Sequence, residues 1–382
     1  MGVGTGTDQK IVDLAGLDQL IGTLRVGSYE VLGPTIRDAA IVLAPTTAVA
    51  DLPRGVGDQQ DGGRYRLVQR GDDAIFGFAA PAGTWKQYLF PPRTVLWRAV
   101  RENGNVRLEE TAADGRPRAL LGVRGCDLAA IRVQDRVLLQ GRYADQEYGS
   151  RRAHLFIIGV DCSDPAATCF CTSMGTGPSA GDSADLVLTE LDPEDPARHR
   201  FLIRVGSDRG REVLAAIPYR DATDDDRGAA MAVSDGATAR MQRTMDTRAL
   251  PELLAASREH PRWDDVAERC LSCGNCTMQC PTCFCSDIVD EPSALDGSDE
   301  RVRHWASCFE LDFSHLHGGS VRTSPRARYR QWLTHKLGTW WEQFGTSGCV
   351  GCGRCITWCP VGIDITEEVR AIREQRPAPE GV

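Results

Sequence analysis

The sequence predicts an α/β N-terminal domain with a partly parallel sheet, residues 1–245, followed by a mainly helical, cysteine-rich C-terminal domain, residues 246–382. Two buried-strand patterns flank a helical pattern between residues 119 and 160, an order that makes the two strands parallel. An acidic stretch that becomes rich in glycine and alanine, residues 221–240, is typical of a connector. Beyond it, helical patterns alternate with two cysteine runs.

Length, charge and composition limit what the chain can do. Its 382 residues favour two or three domains, and a hydrophobic share of 42% is enough for a sizeable core. A formal net charge of −9 argues against general affinity for nucleic acid. The chain has no apolar stretch of about 18 residues, and its start lacks the features of a signal peptide. We therefore expect a cytoplasmic protein without a transmembrane segment, whose 15 cysteines stay reduced and available for metal.

Ordinary secondary structure is predicted elsewhere in the N-terminal domain. Leucine and isoleucine at three- and four-residue intervals predict a helix over residues 14–24. Apolar runs bounded by turn residues predict strands at 29–34, 186–189 and 201–203, the last two paired, and a helix follows at 211–217. None of these elements carries obvious chemistry.

Four cysteines of the N-terminal domain are expected at one edge of the sheet. Cys126 and Cys162 each follow one of the two buried strands, and ligands bind at the carboxyl ends of parallel strands. Asp127 is suited to cap the helix that begins there. We hypothesise a third [4Fe–4S] cluster held by Cys126, Cys162, Cys169 and Cys171. Ordinary buried thiols are the alternative, and C-x-C is also a common fragment of zinc sites.

A glycine-rich loop, residues 173–178, follows directly. Its glycines would let the backbone approach a phosphate or a cluster, but a single G-x-G is a weak signal. A simple turn is therefore favoured over a nucleotide site.

One cysteine pattern occurs twice in the C-terminal domain, from Cys270 to Pro281 and from Cys349 to Pro360. Both copies fit C-x₂-C-x₂-C-x₃-C-P, the spacing of bacterial-type two-cluster ferredoxins. The first three cysteines wrap one loop around a corner of an iron–sulfur cube, and a short loop cannot reach the last iron. Zinc is the alternative for paired C-x₂-C motifs, but two complete copies favour clusters.

The pattern predicts two [4Fe–4S] clusters that exchange ligands between the runs. In two-cluster ferredoxins the fourth cysteine of each run binds the other cluster. Cluster 1 is expected at Cys270, Cys273, Cys276 and Cys359, and cluster 2 at Cys280, Cys349, Cys352 and Cys355.

The stretch between the runs, residues 281–348, holds three further cysteines and three histidines: Cys283, Cys285, Cys308, His304, His315 and His317. Their spacing matches no known ligand set, and packing around the clusters is favoured over an extra zinc or cluster site. Cys283 and Cys285 remain alternatives to Cys280 as ligands.

The clearest helical pattern covers residues 326–344, where aromatic and leucine side chains recur every three or four residues. We expect this aromatic stripe to shield the clusters from water. Basic residues along it, Lys336 among them, are expected either to balance anionic clusters or to be solvated.

Several stretches together carry a family resemblance: residues 122–128, 168–178, 317–322 and 328–332, and both cysteine runs. They resemble the beta subunits of cytoplasmic sulfhydrogenases, which are bidirectional NiFe hydrogenases. One of the subunits of anaerobic sulfite reductase belongs to the same family. The resemblance extends from about residue 15 over most of the chain, although Gly125 stands where many relatives have proline.

The resemblance implies an electron-transfer subunit with an α-helical dicluster ferredoxin domain at its C-terminus, and not a complete enzyme. Its implied partners are a flavin- and NAD(P)-binding subunit, a small iron–sulfur subunit, together with the NiFe subunit. The residues themselves offer no convincing general base, nucleophile or nucleotide fingerprint. A subunit of sulfite reductase, a flavin-containing oxidoreductase and a zinc-stabilised scaffold stay open as alternatives.

Overall fold

The computed structural model of the chain describes residues 9–102, 105–292 and 298–375. Its strands are β1 (Gln9–Asp13), β2 (Glu30–Arg37), β3 (Ala40–Pro45), β4 (Val56–Asp61), β5 (Arg64–Gln69), β6 (Arg93–Glu102), β7 (Asn105–Glu110), β8 (Arg118–Val123), β9 (Leu155–Val160), β10 (Leu186–Leu191), β11 (Arg200–Val205), β12 (Arg220–Asp221), β13 (Ser286–Pro292), β14 (Asp299–Trp305), β15 (His315–Leu316) and β16 (Gly319–Ser320).

Its α-helices are α1 (Leu14–Val26), α2 (Lys86–Leu89), α3 (Gly125–Leu139), α4 (Gln146–Ala153), α5 (Asp208–Ala215), α6 (Asp224–Arg240), α7 (Leu250–Ala256), α8 (Arg262–Arg269), α9 (Asn275–Met278), α10 (Pro325–Thr334), α11 (Trp340–Phe344), α12 (Arg354–Thr357) and α13 (Ile365–Glu374). A π-helical turn, His335–Thr339, joins α10 to α11. Within the described ranges, no helix is both long and apolar enough to span a bilayer.

The large sheet of the N-terminal region has eight strands in the order β12-β1-β11-β10-β9-β8-β2-β3. The four neighbouring strands β10, β9, β8 and β2 are parallel, and antiparallel strands extend the sheet on both sides. The predicted α/β fold with a partly parallel sheet is therefore confirmed. The predicted strand–helix–strand unit is β8–α3–β9, with α4 following α3 before β9 begins.

Helices cover both faces of this sheet. Leu17 and Leu20 of α1 belong to the apolar core on one face, and Leu128 and Ile131 of α3 belong to the core on the other. Every residue of β8 and β9 is consequently buried. This is why the two strands read as continuous apolar runs and not as alternating patterns.

The C-terminal region is mainly helical and has its own core. Side chains of α8, α10 and α13, such as Trp263, Trp332 and Val369, meet in one apolar cluster. The helix predicted over residues 326–344 is confirmed as α10, the π-turn and α11. Ser324 caps its start by accepting a hydrogen bond from the Ala327 N–H, and Gly345 ends it in the left-handed conformation with a φ of 64°.

The acidic stretch predicted as a connector is instead the start of a helix. Thr223 caps α6 and forms a capping box with Asp226. Asp226 is buried and also pairs with Arg200 and Arg220, which hold the pKa of its carboxyl well below the usual range. The charge pattern suggested solvent exposure because carboxylates in a first helical turn look the same in sequence whether or not they are buried.

A second sheet joins the two predicted domains. Its strand order is β13-β14-β6-β7, so residues 93–110 pair with residues 286–305 of the insertion between the cysteine runs. The boundary near residue 245 remains a prediction, and backbone hydrogen bonds connect the chain on either side of it.

Candidate metal centre

The first group of thiols lies around one cavity. Cys270, Cys273, Cys276 and Cys359, the four residues predicted for cluster 1, line this cavity together with apolar and aromatic side chains. Cys270 caps the C-terminus of α8, and Gly274 reverses the loop with a φ of 75° before α9 presents Cys276. The structure therefore brings together thiols from both ends of the C-terminal region.

Two aromatic side chains in the same cavity lack hydrogen-bond acceptors. Tyr329 Oη and Trp332 Nε1 are buried and have no partner among the described residues. Burial also raises the pKa of Tyr329, which keeps its phenol protonated as a donor. Buried donors without acceptors are rare, and the sulfur atoms of an iron–sulfur cube are acceptors. Four thiols and two unpaired donors around one cavity fit a [4Fe–4S] cluster.

The second group of thiols gathers around a buried lysine. Lys336 Nζ lies 3.2 Å from Cys280 Sγ and 3.0 Å from the carbonyl oxygen of Gly348, directly before Cys349. Burial alone would lower the pKa of Lys336, but the neighbouring thiolates of Cys280, Cys283 and Cys349 raise it.

The other two predicted ligands of cluster 2 lie beside this pair. Burial and the charges of Cys349 and Cys352 raise the pKa of Cys355, and Cys280 acts on both Cys352 and Cys355. Cys355 also lines the cavity of the first group. The two groups of thiols are therefore adjacent.

The ambiguity between Cys280 and its neighbours has a structural basis. Cys283 hydrogen-bonds with Cys280, and its Sγ lies 3.6 Å from Lys336 Nζ. Both thiols thus stand next to the same cation, and the choice of Cys280 as the ligand remains a prediction from the motif. Of the three histidines of the insertion, His304 pairs with Glu291, and His315 and His317 are exposed.

The third group of thiols lies at the predicted edge of the sheet. β8 and β9 are neighbours, so Cys126 and Cys162 leave the sheet side by side. Cys162 acts electrostatically on both Cys169 and Cys171, and Cys126 lies close to Cys171 and to Cys352 of the second run. All four thiols gather in this region, with Cys126 on the side of the second run.

The loop that carries Cys169 and Cys171 packs directly on the second run. The Phe170 N–H donates to the Gly351 carbonyl at 2.9 Å, and the Cys169 thiol donates to the Cys352 carbonyl at 3.8 Å. Gly351 has a φ of 67°, and a Cβ there would stand 2.7 Å from the backbone of Cys171. Only glycine allows this close approach of the two loops.

A buried ion pair fastens the same junction. Asp127 does not cap α3 as predicted, because the N-cap residue is Arg124 and Asp127 lies inside the first turn. Its carboxylate instead accepts hydrogen bonds of 2.8 and 3.3 Å from Arg354, which is fully buried in α12 of the second run. Both charges are withdrawn from water, so each needs the other.

A site for one metal ion would need ligands that lie closer together than these thiols do. Among the residues that the structure describes, no three His, Cys, Asp or Glu side chains are close enough to share one metal ion. The thiolates of a cube bind four different irons and do not need such proximity.

The sequence pattern left the role of Lys336 open, although a signal for its burial was present. Lys336 lies four residues after Trp332 and four before Trp340, on the same helical face as these two buried side chains. This position marks a buried lysine, and the π-turn places it against the thiols. For Lys86, which lies 4% exposed beside Cys283, the sequence carried no comparable signal.

Comparison with known proteins agrees with this geometry. A family model described as a 4Fe-4S dicluster domain matches residues 269–363, the segment that contains both runs. Sulfhydrogenase 2 subunit beta of Pyrococcus furiosus is 31% identical over 316 residues, which are 81% of this chain and 89% of that protein. No solved structure matches the chain.

The contact between the loops predicts the effect of a methyl group. Gly351→Ala places a Cβ against the backbone of Cys171, whereas Gly175→Ala has the same kind of φ, 64°, and open space around its Cβ. We expect Gly351→Ala to lower the free energy of unfolding by about 1–3 kcal/mol more than Gly175→Ala, since overpacking adds to the backbone strain. Anaerobic denaturant unfolding measures this difference, and equal losses would contradict the packing described.

The unpaired phenol of Tyr329 predicts a change in reduction potential. Tyr329→Phe removes a donor from the first cavity, so the cluster 1 potential should fall by roughly 40 mV, which corresponds to about 1 kcal/mol for one electron. Tyr88→Phe is the matched control, because Tyr88 donates its hydrogen bond to the Leu43 carbonyl instead. Redox titration followed by EPR tests this, and equal potentials for Tyr329→Phe and wild type would refute the assigned donor.

Proposed function

The chain belongs to the family of sulfhydrogenase beta subunits and is an iron–sulfur electron-transfer protein; we propose that it serves a cytoplasmic multisubunit NiFe hydrogenase. In this role it passes single electrons between partner subunits and does not convert a substrate itself. The proposed ligands are Cys270, Cys273, Cys276 and Cys359 for cluster 1; Cys280, Cys349, Cys352 and Cys355 for cluster 2; and Cys126, Cys162, Cys169 and Cys171 for cluster 3.

One observation carries the proposal: the three groups of thiols form a continuous row. Cys355 lies between the first and second groups, since it lines the cavity of the first. Cys352 lies between the second and third, since its carbonyl accepts a hydrogen bond from Cys169 and its thiol acts on Cys126. Clusters bound along this row would exchange electrons one at a time.

The protein surrounds the row with apolar material. Phe309, Tyr329 and Trp332 wall the first cavity, and Trp340 and Val350 pack beside Cys126 and Cys352. This agrees with the expectation that the aromatic stripe shields the clusters. Burial and hydrogen bonds to sulfur are the means by which a protein sets cluster potentials.

The first group provides a route to a partner. Cys273 is exposed, and the neighbouring Leu271 and Val361 are 64% and 40% exposed. An apolar surface around an exposed ligand suits the approach of another protein's redox group. We propose that the partners are a flavin- and NAD(P)-binding subunit, a small iron–sulfur subunit, together with the NiFe subunit.

Metal content of the isolated chain tests the proposal. Anaerobically purified protein should contain about 12 irons and as many sulfides if three cubes are bound, or about eight if cluster 3 is absent, since each cube has four irons. Zinc in place of iron would contradict the electron-transfer role, and a bound yellow flavin would favour an oxidoreductase in its own right.

Ligand exchange between the runs is tested by Cys352→Ala. The variant should lose the EPR signal of cluster 2 and alter the signal of a neighbouring cluster, because adjacent cubes interact. Thr346→Ala, a change just before the second run, is the control and should leave both signals intact. Unchanged spectra in Cys352→Ala would refute the assignment of ligands.

A further inference from the structure

Three cysteines have no role in the row described above. Of the 15 cysteines, the three proposed clusters use 12, and 15 − 12 leaves Cys283, Cys285 and Cys308. Two of them stand in the sequence Thr282-Cys283-Phe284-Cys285, which repeats Thr168-Cys169-Phe170-Cys171 of the third group. The chain therefore uses the same four residues at two places, and at one of them two thiols already belong to a proposed cluster.

The pairing of β13 with β14 brings the three thiols together. Cys285 directly precedes β13 and Cys308 follows β14, and the Ala306 N–H donates to the Cys285 carbonyl at 2.9 Å. Cys285 acts electrostatically on both Cys283 and Cys308. Phe284 points elsewhere, since its ring packs against Trp340 and Phe344 at centroid distances of 5.5 and 5.8 Å. The two thiols that flank Phe284 are thus free to face a common centre with Cys308.

Two buried lysines face this group. Lys86 and Lys336 are only 4% and 3% exposed. Lys86 Nζ lies 3.2 Å from the Cys283 carbonyl oxygen and 3.8 Å above the Trp305 ring, and Lys336 Nζ lies 3.6 Å from Cys283 Sγ. The anionic groups that act on both lysines are cysteine thiolates.

Two buried ammonium groups need more than one negative charge nearby. Burying an unpaired charge is costly, and a single thiolate would balance one lysine at most. A [4Fe–4S] cube with thiolate ligands carries a net negative charge that is spread over its sulfurs, and this suits two cations approaching from different elements.

We propose that Cys283, Cys285 and Cys308 bind a fourth [4Fe–4S] cluster, with Lys86 and Lys336 as its counter-charges. The proposal extends the electron-transfer role above. Lys336 stands between Cys280 and Cys283, so the fourth site adjoins cluster 2, which would then have three neighbours. A surface pocket lined by Cys285, Cys308, Arg322 and His335 opens the site to solvent on its far side. The fourth cluster would exchange one electron with cluster 2 and needs no other reactant.

Iron content of cysteine variants tests this assignment in the full chain. Cys285→Ser and Cys308→Ser change ligands next to two different strands, and Ser286→Ala alters an exposed neighbour as the control. Each cysteine variant should lose about four irons and four sulfides relative to wild type, and the control should lose none. Mössbauer spectra should lose one cube's share of the signal, and the EPR signal of cluster 2 should persist with an altered interaction.

Several outcomes would overturn the fourth site and leave the proposed function standing. One is equal iron in wild type and both cysteine variants. Another is loss of about one zinc, with no loss of iron, in the variants. If both variants fail to fold, as judged by far-UV circular dichroism, the wild-type Mössbauer count decides: about 16 irons support the site, and about 12 or fewer refute it. Fewer than about eight irons in wild type would instead contradict the proposed function itself.

Discussion

A cysteine run of the ferredoxin type offers three thiolates to one corner of a cube, and the last iron must find its ligand elsewhere in the chain. Much of the C-terminal region follows from this constraint. The segment between the runs has to return the second run to the first, and it does so through β13, β14 and the long helical stretch that ends at Gly345. Cys359 then reaches the cavity of the first run, and Cys355 lies between both groups of thiols.

Charge is balanced at each place where thiols gather. Arg354 is buried beside Cys352 and is held by Asp127, so the same pair that docks the second run on α3 also supplies a cation near cluster 2. Lys336 serves the other side, next to Cys280. These cations come from α12 and from the π-turn, two separate elements of the chain. Their convergence explains why an acidic chain keeps buried lysine and arginine in its most cysteine-rich part.

Local sequence patterns predicted those features that depend on neighbouring residues. The apolar runs of β8 and β9, the spacing of each cysteine run and the aromatic stripe of residues 326–344 all express local periodicity, and the structure contains each of them. Long-range pairing was beyond such patterns. The sheet formed by β6 and β14 joins residues about 200 positions apart, and the carboxylate of Asp127 could act as a cap or bind Arg354 with the same local sequence. Only the fold decides between these roles.

The central claim is that thiolates from distant parts of the chain complete each cube. Anomalous diffraction at the iron edge, on anaerobically grown crystals of the full chain, tests it most directly. The account predicts one iron cluster bound by Cys359 Sγ together with the first three cysteines of the first run, and a second bound by Cys280 Sγ together with those of the second run. Iron density that each run completes with its own fourth cysteine, or density absent from these positions, would contradict it.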